Sequence, residues 1–276
     1  MDNLHIPKIQ IYITTRCNSK CKLCGTYCPY LAAPRDLSFD AFKKDVTRFF
    51  ELVDTVGRME LTGGEPLLNP YLPDMLDFLC NFSNRVEDFR LLTNGRSLPS
   101  DKLLKAIKRI LTNGTGFTVL VDDYGAELSL CAEDAACLYM DTGAKVQRRD
   151  YCSDSMYMGG WVDYGSLQKM KDTREQILQN PEKCACVKLQ MHSIWEGVIY
   201  PCGRGIYYYE SPPPPPPMRI PKYPNCILIH DDSKSKEQMR EEISKFWYSE
   251  YYEVCSYCNA KFSSDKNRFR PAEQLE

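Results

Sequence analysis

The sequence carries no excess of either charge: 35 basic residues against 37 acidic ones leave a net charge of −2 over 276 positions. Without a basic face there is no electrostatic footprint for nucleic acid or an anionic membrane. Long apolar runs are missing too, so no segment reads as a membrane-spanning helix. The opening Met1-Asp2-Asn3-Leu4-His5-Ile6-Pro7 lacks the basic and apolar blocks of a signal peptide, and no internal repeat is visible. These absences predict a cytoplasmic chain, long enough to bury one large core or two modest ones. Cysteine, by contrast, is abundant, with 14 residues. In a reducing compartment such thiols read as metal ligands before they read as disulfides. Cys80, Cys131 and Cys137 are expected to be ordinary buried thiols.

Three of the cysteines stand close together in Cys17-Asn18-Ser19-Lys20-Cys21-Lys22-Leu23-Cys24, directly after Lys8 to Thr14, where polar and apolar residues alternate as in a β-strand. A loop leaving a strand end would hold these sulfurs together. Thiolates suit iron in a cluster, and a four-iron cube normally takes four protein ligands, so three would leave one iron open to a small molecule. Structural zinc is the competing occupant of such a loop.

Downstream, strand and helix patterns alternate. Ser38 is placed to cap a helix with Phe39, Phe42, Val46, Phe49, Phe50 and Val53 on one stripe, ended by Gly57. Strands are predicted at 59–62, 89–93, 117–121 and 145–150, and helices at 70–82, 102–111 and 132–140. Such alternation implies α/β architecture with a parallel sheet, open or partly closed as a barrel. Ligands of these sheets collect at the C-terminal strand ends. Gly63-Gly64-Glu65-Pro66, Thr93-Asn94-Gly95, Asp122-Asp123 and Arg148-Arg149-Asp150 all fall there with the cysteine loop. Paired glycines let backbone approach a ligand closely.

The cysteine triplet followed by Gly63-Gly64-Glu65-Pro66 resembles a radical S-adenosylmethionine (SAM) enzyme over roughly residues 8 to 150. The resemblance implies a partial (β/α)6 TIM-like barrel. It also implies a [4Fe–4S] cluster on Cys17, Cys21 and Cys24, whose open iron chelates S-adenosyl-L-methionine for reductive cleavage to a 5′-deoxyadenosyl radical. Gly63, Gly64 and Glu65 would bind the methionyl amino group and Asn94 the ribose hydroxyls, with a flavodoxin- or ferredoxin-type electron donor. Leu23 departs from the aromatic residue often found there, at a contact made through backbone.

From about Pro181 the alternation stops and a C-terminal region, 181–276, follows a barrel region of 1–180. It holds Cys184, Cys186 and Cys202, a hairpin pattern turning at Glu196-Gly197, and the proline run Pro212 to Pro217, read as a stiff polyproline surface loop. A final helix is predicted at 236–248, ahead of Cys255 and Cys258. Spacing alone leaves zinc and a second cluster equally placed. The pattern Cys-x(n)-Gly-x4-Cys with Cys-x2-Cys resembles the auxiliary-cluster region of SPASM and twitch radical enzymes. The shorter α+β twitch form, with one auxiliary [4Fe–4S] cluster, is implied. Its ligands would be Cys186, or Cys184 in its place, with Cys202, Cys255 and Cys258.

The layout is similar to the 2-deoxy-scyllo-inosamine dehydrogenase group, which implies a small sugar or cyclitol substrate oxidised from alcohol to ketone. The closing Pro271-Ala272-Glu273-Gln274 resembles the endings of carbohydrate-associated members. Arg148, Arg149 and Asp122, with Asp123, are the candidate catalytic residues at strand ends, and strand alternation points only one of the two arginines inward. Either arginine is alternatively a bidentate partner for the S-adenosylmethionine carboxylate. An epimerase would need a hydrogen donor such as Cys152 or Cys226. A peptide-modifying enzyme would usually carry a winged-helix domain ahead of the first strand, for which no room is seen before Lys8. A cysteine-rich zinc module docking a partner is the non-enzymatic alternative. His192 reads as a packed strand residue.

Overall fold

The computed structural model describes residues 3–165, 173, 175–176, 185–210, 225–259 and 267–276. Strand β1 (His5–Thr14) is followed by α1 (Phe39–Leu52), β2 (Thr55–Gly63), α2 (Leu72–Leu79) and β3 (Val86–Thr93). Next come α3 (Asp101–Thr112), β4 (Gly116–Asp123), α4 (Ala132–Met140) and β5 (Lys145–Asp150). The second region contributes α5 (Ala185–Lys188), β6 (His192–Trp195), β7 (Val198–Tyr200), α6 (Gly203–Glu210), β8 (Ile227–Leu228) and α7 (Lys236–Trp247).

All eight strands form one sheet in the order β5-β4-β3-β2-β1-β6-β7-β8. Strands β1 to β5 pair in parallel, and β6 joins the free edge of β1 in parallel through Ile9, Gln10 and Ile11. This is the parallel-dominated α/β sheet of a partial barrel. The hairpin β6–β7 then reverses direction at Glu196 (φ 48°) and Gly197 (φ 74°), two left-handed residues that match the twist of a two-residue hairpin.

The helices follow their apolar stripes. Ser38 Oγ accepts from the Ala41 amide at 3.2 Å, and Phe42, Val46, Phe49 and Phe50 are buried against the sheet. The helix stops at Leu52 rather than at Gly57, which lies inside β2. A Cβ at Gly57 would stand 2.8 Å from the Pro7 carbonyl oxygen across the β1–β2 pair, so packing between strands, not helix termination, explains that glycine. The helix expected over 70–82 is α-helical only to Leu79 and tightens into a 3-10 turn over Cys80–Arg85. On α4 the buried positions are Ala132, Ala135, Ala136 and Tyr139. Cys137 falls between them and is exposed, while Cys80 and Cys131 are half-buried, so the expectation of three buried thiols is corrected. Among the described residues no helix is long and apolar enough to cross a membrane. Cys184, the Pro212 to Pro217 run and the boundary near residue 180 lie outside the described residues.

Candidate active site

The C-terminal ends of β1 to β5 gather the residues that the sequence placed on one rim. The loop after β1 is fastened by Thr14 Oγ1, which donates to Asp36 Oδ1 at 2.6 Å, and by the Thr15 amide on the Arg35 carbonyl at 2.8 Å. The end of β2 runs flush against it. The Gly64 amide donates to Thr14 O at 2.9 Å and the Glu65 amide to Arg16 O at 2.8 Å. A Cβ on Gly63 would lie 1.9 Å from Thr14 O, and one on Gly64 2.0 Å from Arg16 O. The two glycines therefore let β2 reach the cysteine loop itself, a reason the sequence did not reveal.

Glu65 is 1 % exposed. Its carboxylate accepts from the Asn94 amide at 2.8 Å, Thr93 Oγ1 at 2.9 Å and the Leu67 amide at 3.2 Å. Burial pushes its pKa up to about 7 despite these donors. Asn94 in turn donates to Asn18 Oδ1 at 2.8 Å, and its Nδ2 lies 3.9 Å from Cys17 Sγ. Glu65 and Asn94 thus brace the ends of β2 and β3 against the cysteine loop.

Within the loop, burial raises the Cys17 thiol to about 12 and the Cys21 thiol to about 11, with neighbouring thiols adding to the effect. Cys24 shares a hydrogen bond with Cys28, which lowers the Cys24 pKa and raises that of Cys28, and Thr26 Oγ1 stands 3.3 Å from each sulfur. Three thiols carried on one short loop are a donor set that fits an iron centre, whose positive charge would hold them as thiolates. Among the described residues no three His, Cys, Asp or Glu side chains converge on a single metal ion. A four-iron cube spaces its ligands more widely than one ion does. Cys28 was passed over in the sequence, although it continues the spacing by a further four positions.

Residues 272–275 close over this loop. Lys22 N donates to Glu273 O at 2.7 Å, Leu275 N to Lys20 O at 2.8 Å, and Gln274 Nε2 to Cys21 Sγ at 3.5 Å. The sequence had marked this tail without placing it.

The two arginines separate as alternation requires. Arg149 is half-buried and pairs bidentately with Asp122, Nη2 to Oδ2 at 2.7 Å, and its guanidinium lies over the Tyr157 ring. Burial pushes the Asp122 carboxyl up and Arg149 pulls it back, while Tyr124 OH donates to it at 3.3 Å. Arg148 is half-exposed and pairs with Asp123 and Glu133. Both guanidiniums are engaged with the protein's own carboxylates. Tyr124 and Tyr151 stack at 5.2 Å, with Trp161 edge-on. Beside them opens a cavity of about 320 Å³, lined by Tyr124, Tyr151, Cys152, Met156, Arg268 and Phe269 among others.

The second set collects around α6. Cys202, Cys255 and Cys258 are buried and Cys186 is half-buried. Arg204, 5 % exposed, points Nη2 at Cys186 Sγ at 3.7 Å and donates from Nη1 to Gly25 O at 3.1 Å. Burial opposes its charge, but Cys258, Cys186 and Cys202 more than offset that and hold it well above its ordinary range. Cys255 lies with Tyr252 and Cys202 in the same electrostatic neighbourhood. Tyr12 is buried near both sets, its phenol pushed up first by burial and then by Cys28, Cys202, Cys24 and Cys186. A Cβ on Gly203 would meet Tyr12 Oη at 1.8 Å, so this glycine admits the phenol. Neither Tyr12 nor Arg204 carried a sequence signal, because each acts through neighbours distant in the chain. His192 is packed as expected, its Nδ1 at 3.0 Å from Pro201 O inside a cage of Phe246, Trp247 and Tyr252.

Comparison with known proteins agrees with this geometry. Residues 11–122 match the Radical SAM superfamily. GTP 3′,8-cyclase of Limosilactobacillus fermentum is 34 % identical over 102 residues, 36 % of this chain and 29 % of the relative. The enzyme of the same name from Acidothermus cellulolyticus is 32 % identical over 96 residues, 33 % of this chain and 26 % of that protein. The chain thus spans less than a third of the length of these curated relatives. Among solved structures, BtrN in complex with AdoMet and 2-DOIA aligns over 98 % of this chain and 99 % of its own, with a TM-score of 0.53 at 18 % identity. Native anSMEcpe with bound AdoMet aligns over 96 % and 93 %, with a TM-score of 0.53 at 13 % identity. Residues 11–122 are thus similar to the radical SAM superfamily, and the chain shares the fold of these two structures along its length.

Proposed function

We propose that this radical SAM enzyme removes hydrogen from a sugar or cyclitol and oxidises an alcohol to a ketone, with a second [4Fe–4S] cluster in its C-terminal region. The observation that carries the reading is the close packing of the two cysteine regions: Gly203, next to Cys202, lies against Tyr12 and Thr26, and Arg204 bridges Gly25 O at 3.1 Å and Cys186 Sγ at 3.7 Å. Cys17, Cys21 and Cys24 would hold the first cluster, and Cys186, Cys202, Cys255 and Cys258 the second. When bound, S-adenosylmethionine at the first cluster would supply radical chemistry for removing substrate hydrogen, and the second cluster would supply an acceptor for the electron released.

The chain's own residues orient and exclude. Gly63, Gly64 and Glu65 offer the β2 end to the methionyl amino group, and Asn94 stands beside Cys17 for the ribose. The stacked Tyr124 and Tyr151 give an apolar platform for a sugar face at the cavity of about 320 Å³. Asp122, half-buried and braced by Arg149, takes the proton of the reacting hydroxyl at a carboxylate oxygen. BtrN is described with 2-DOIA, which makes that compound the first to try.

The test is anaerobic reconstitution followed by turnover of cyclitols and amino sugars deuterated at hydroxyl-bearing carbons. About eight iron and eight sulfide per chain, label in 5′-deoxyadenosine and a keto product are expected. One zinc without sulfide, or intact S-adenosylmethionine under dithionite, would overturn the reading. A second reading rests on Cys152, whose thiol lines the same cavity and donates to Asp150 at 3.2 Å. As a hydrogen donor it would make the enzyme an epimerase, seen as solvent deuterium in a product of unchanged oxidation state.

A further inference from the structure

We infer that Arg204 is a positioning residue for the second cluster: its buried fork stabilises the cluster's reduced form and so fits it to accept an electron. The inference rests on the two-cluster reading above. Arg204 opens α6, two residues after Cys202, and is almost fully enclosed. Its guanidinium lies 3.7 Å above the centre of the Tyr164 ring, which covers one face. One terminal nitrogen reaches Cys186 and the other reaches the Gly25 carbonyl of the first cysteine loop. Among the described residues it forms no ion pair with a carboxylate, and its Nε is buried without a hydrogen-bond partner.

A permanently charged group is rarely enclosed without an anion, and an unpaired buried N–H carries a desolvation cost. The sulfurs within reach are those of Cys186, at 3.7 Å from Nη2, and of neighbouring Cys202 and Cys258, which a bound cluster would hold as thiolates. A four-thiolate cluster is more negative in its reduced form, and hydrogen bonds to its sulfurs raise its potential. The orphaned Nε supplies a donor that the described residues leave unused. The arginine's grip on Gly25 also ties this donor to the loop that carries Cys24. A purely structural arginine would use the carbonyl and the ring, but would gain nothing from standing among thiols.

The experiment is an anaerobic potentiometric titration of the fully loaded enzyme, followed by electron paramagnetic resonance, for wild type, Arg204→Lys and Arg204→Met. Both variants should keep the wild-type iron content. In Arg204→Met the second cluster should become at least tenfold harder to reduce, a fall of about 59 mV for a one-electron couple. Arg204→Lys, which keeps the charge and loses the fork, should fall between, and the first cluster should move less in both. An unchanged second midpoint at full iron overturns the inference. So does loss of the second cluster from both variants, which would make Arg204 a structural residue. Wild-type enzyme holding only four iron would overturn the two-cluster reading itself, an outcome visible before any variant is made.

Discussion

At the scale of a residue, His192 shows what packing does to chemistry. Its ring donates to Pro201 O and is walled by aromatic side chains, and burial lowers its pKa from 6.5 to about 4. Between those values an unfolded chain binds a proton that the folded chain refuses, so stability falls as pH drops from 6.5 towards 4. The loss between pH 7 and pH 5 should be about 2 kcal/mol. His192→Gln, which keeps a donor for Pro201, should flatten that slope in unfolding titrations of the loaded protein. A slope unchanged in the variant would assign the pH dependence elsewhere. The burial of His192 was legible in the sequence from its strand position. The loads on Gly63 and Gly64 were not, because the carbonyls they would strike belong to Thr14 and Arg16, about 50 residues earlier.

At the scale of an element, β5 separates two adjacent arginines by its pleat. Arg149 turns to Asp122 among half-buried tyrosines, whereas Arg148 turns to Asp123 and Glu133 at the surface. Arg149→Met should lower substrate-dependent 5′-deoxyadenosine formation by about 100-fold, because it leaves Asp122 misplaced and unpaired. Arg148→Met should change it by less than about threefold. Equal losses in both would remove Asp122–Arg149 from the reaction. Alternation was enough to say that the two arginines differ. Which one faces inward depends on the pairing of β4 with β5, visible only once Asp122 stands opposite Arg149. The helix cap at Ser38, the hairpin at Gly197 and the succession of β1 to β5 along the chain were legible because each rests on local pattern. The role of Arg204 depends on contacts from Gly25 to Cys258 and left no such trace.

At the scale of the whole molecule, the two cysteine-bearing regions share a sheet. The sequence divided the chain near residue 180, yet β6 pairs with β1 through Ile9, Gln10 and Ile11. A chain cut after residue 180 would bare that edge of β1, a row of unpaired amides and carbonyls flanked by buried isoleucines. It should elute from size-exclusion chromatography as self-associated species, where the full chain remains discrete. A discrete, monomeric fragment that binds four iron would show that the first region folds alone.

The strap of residues 273–275 over Lys20 and Lys22 joins segments made more than 250 positions apart. While the polypeptide is being synthesised, the triad of thiols therefore emerges long before its cover exists. Iron delivery and oxidative damage compete over that bare interval, until the arrival of residues 273–275 shuts the door on both.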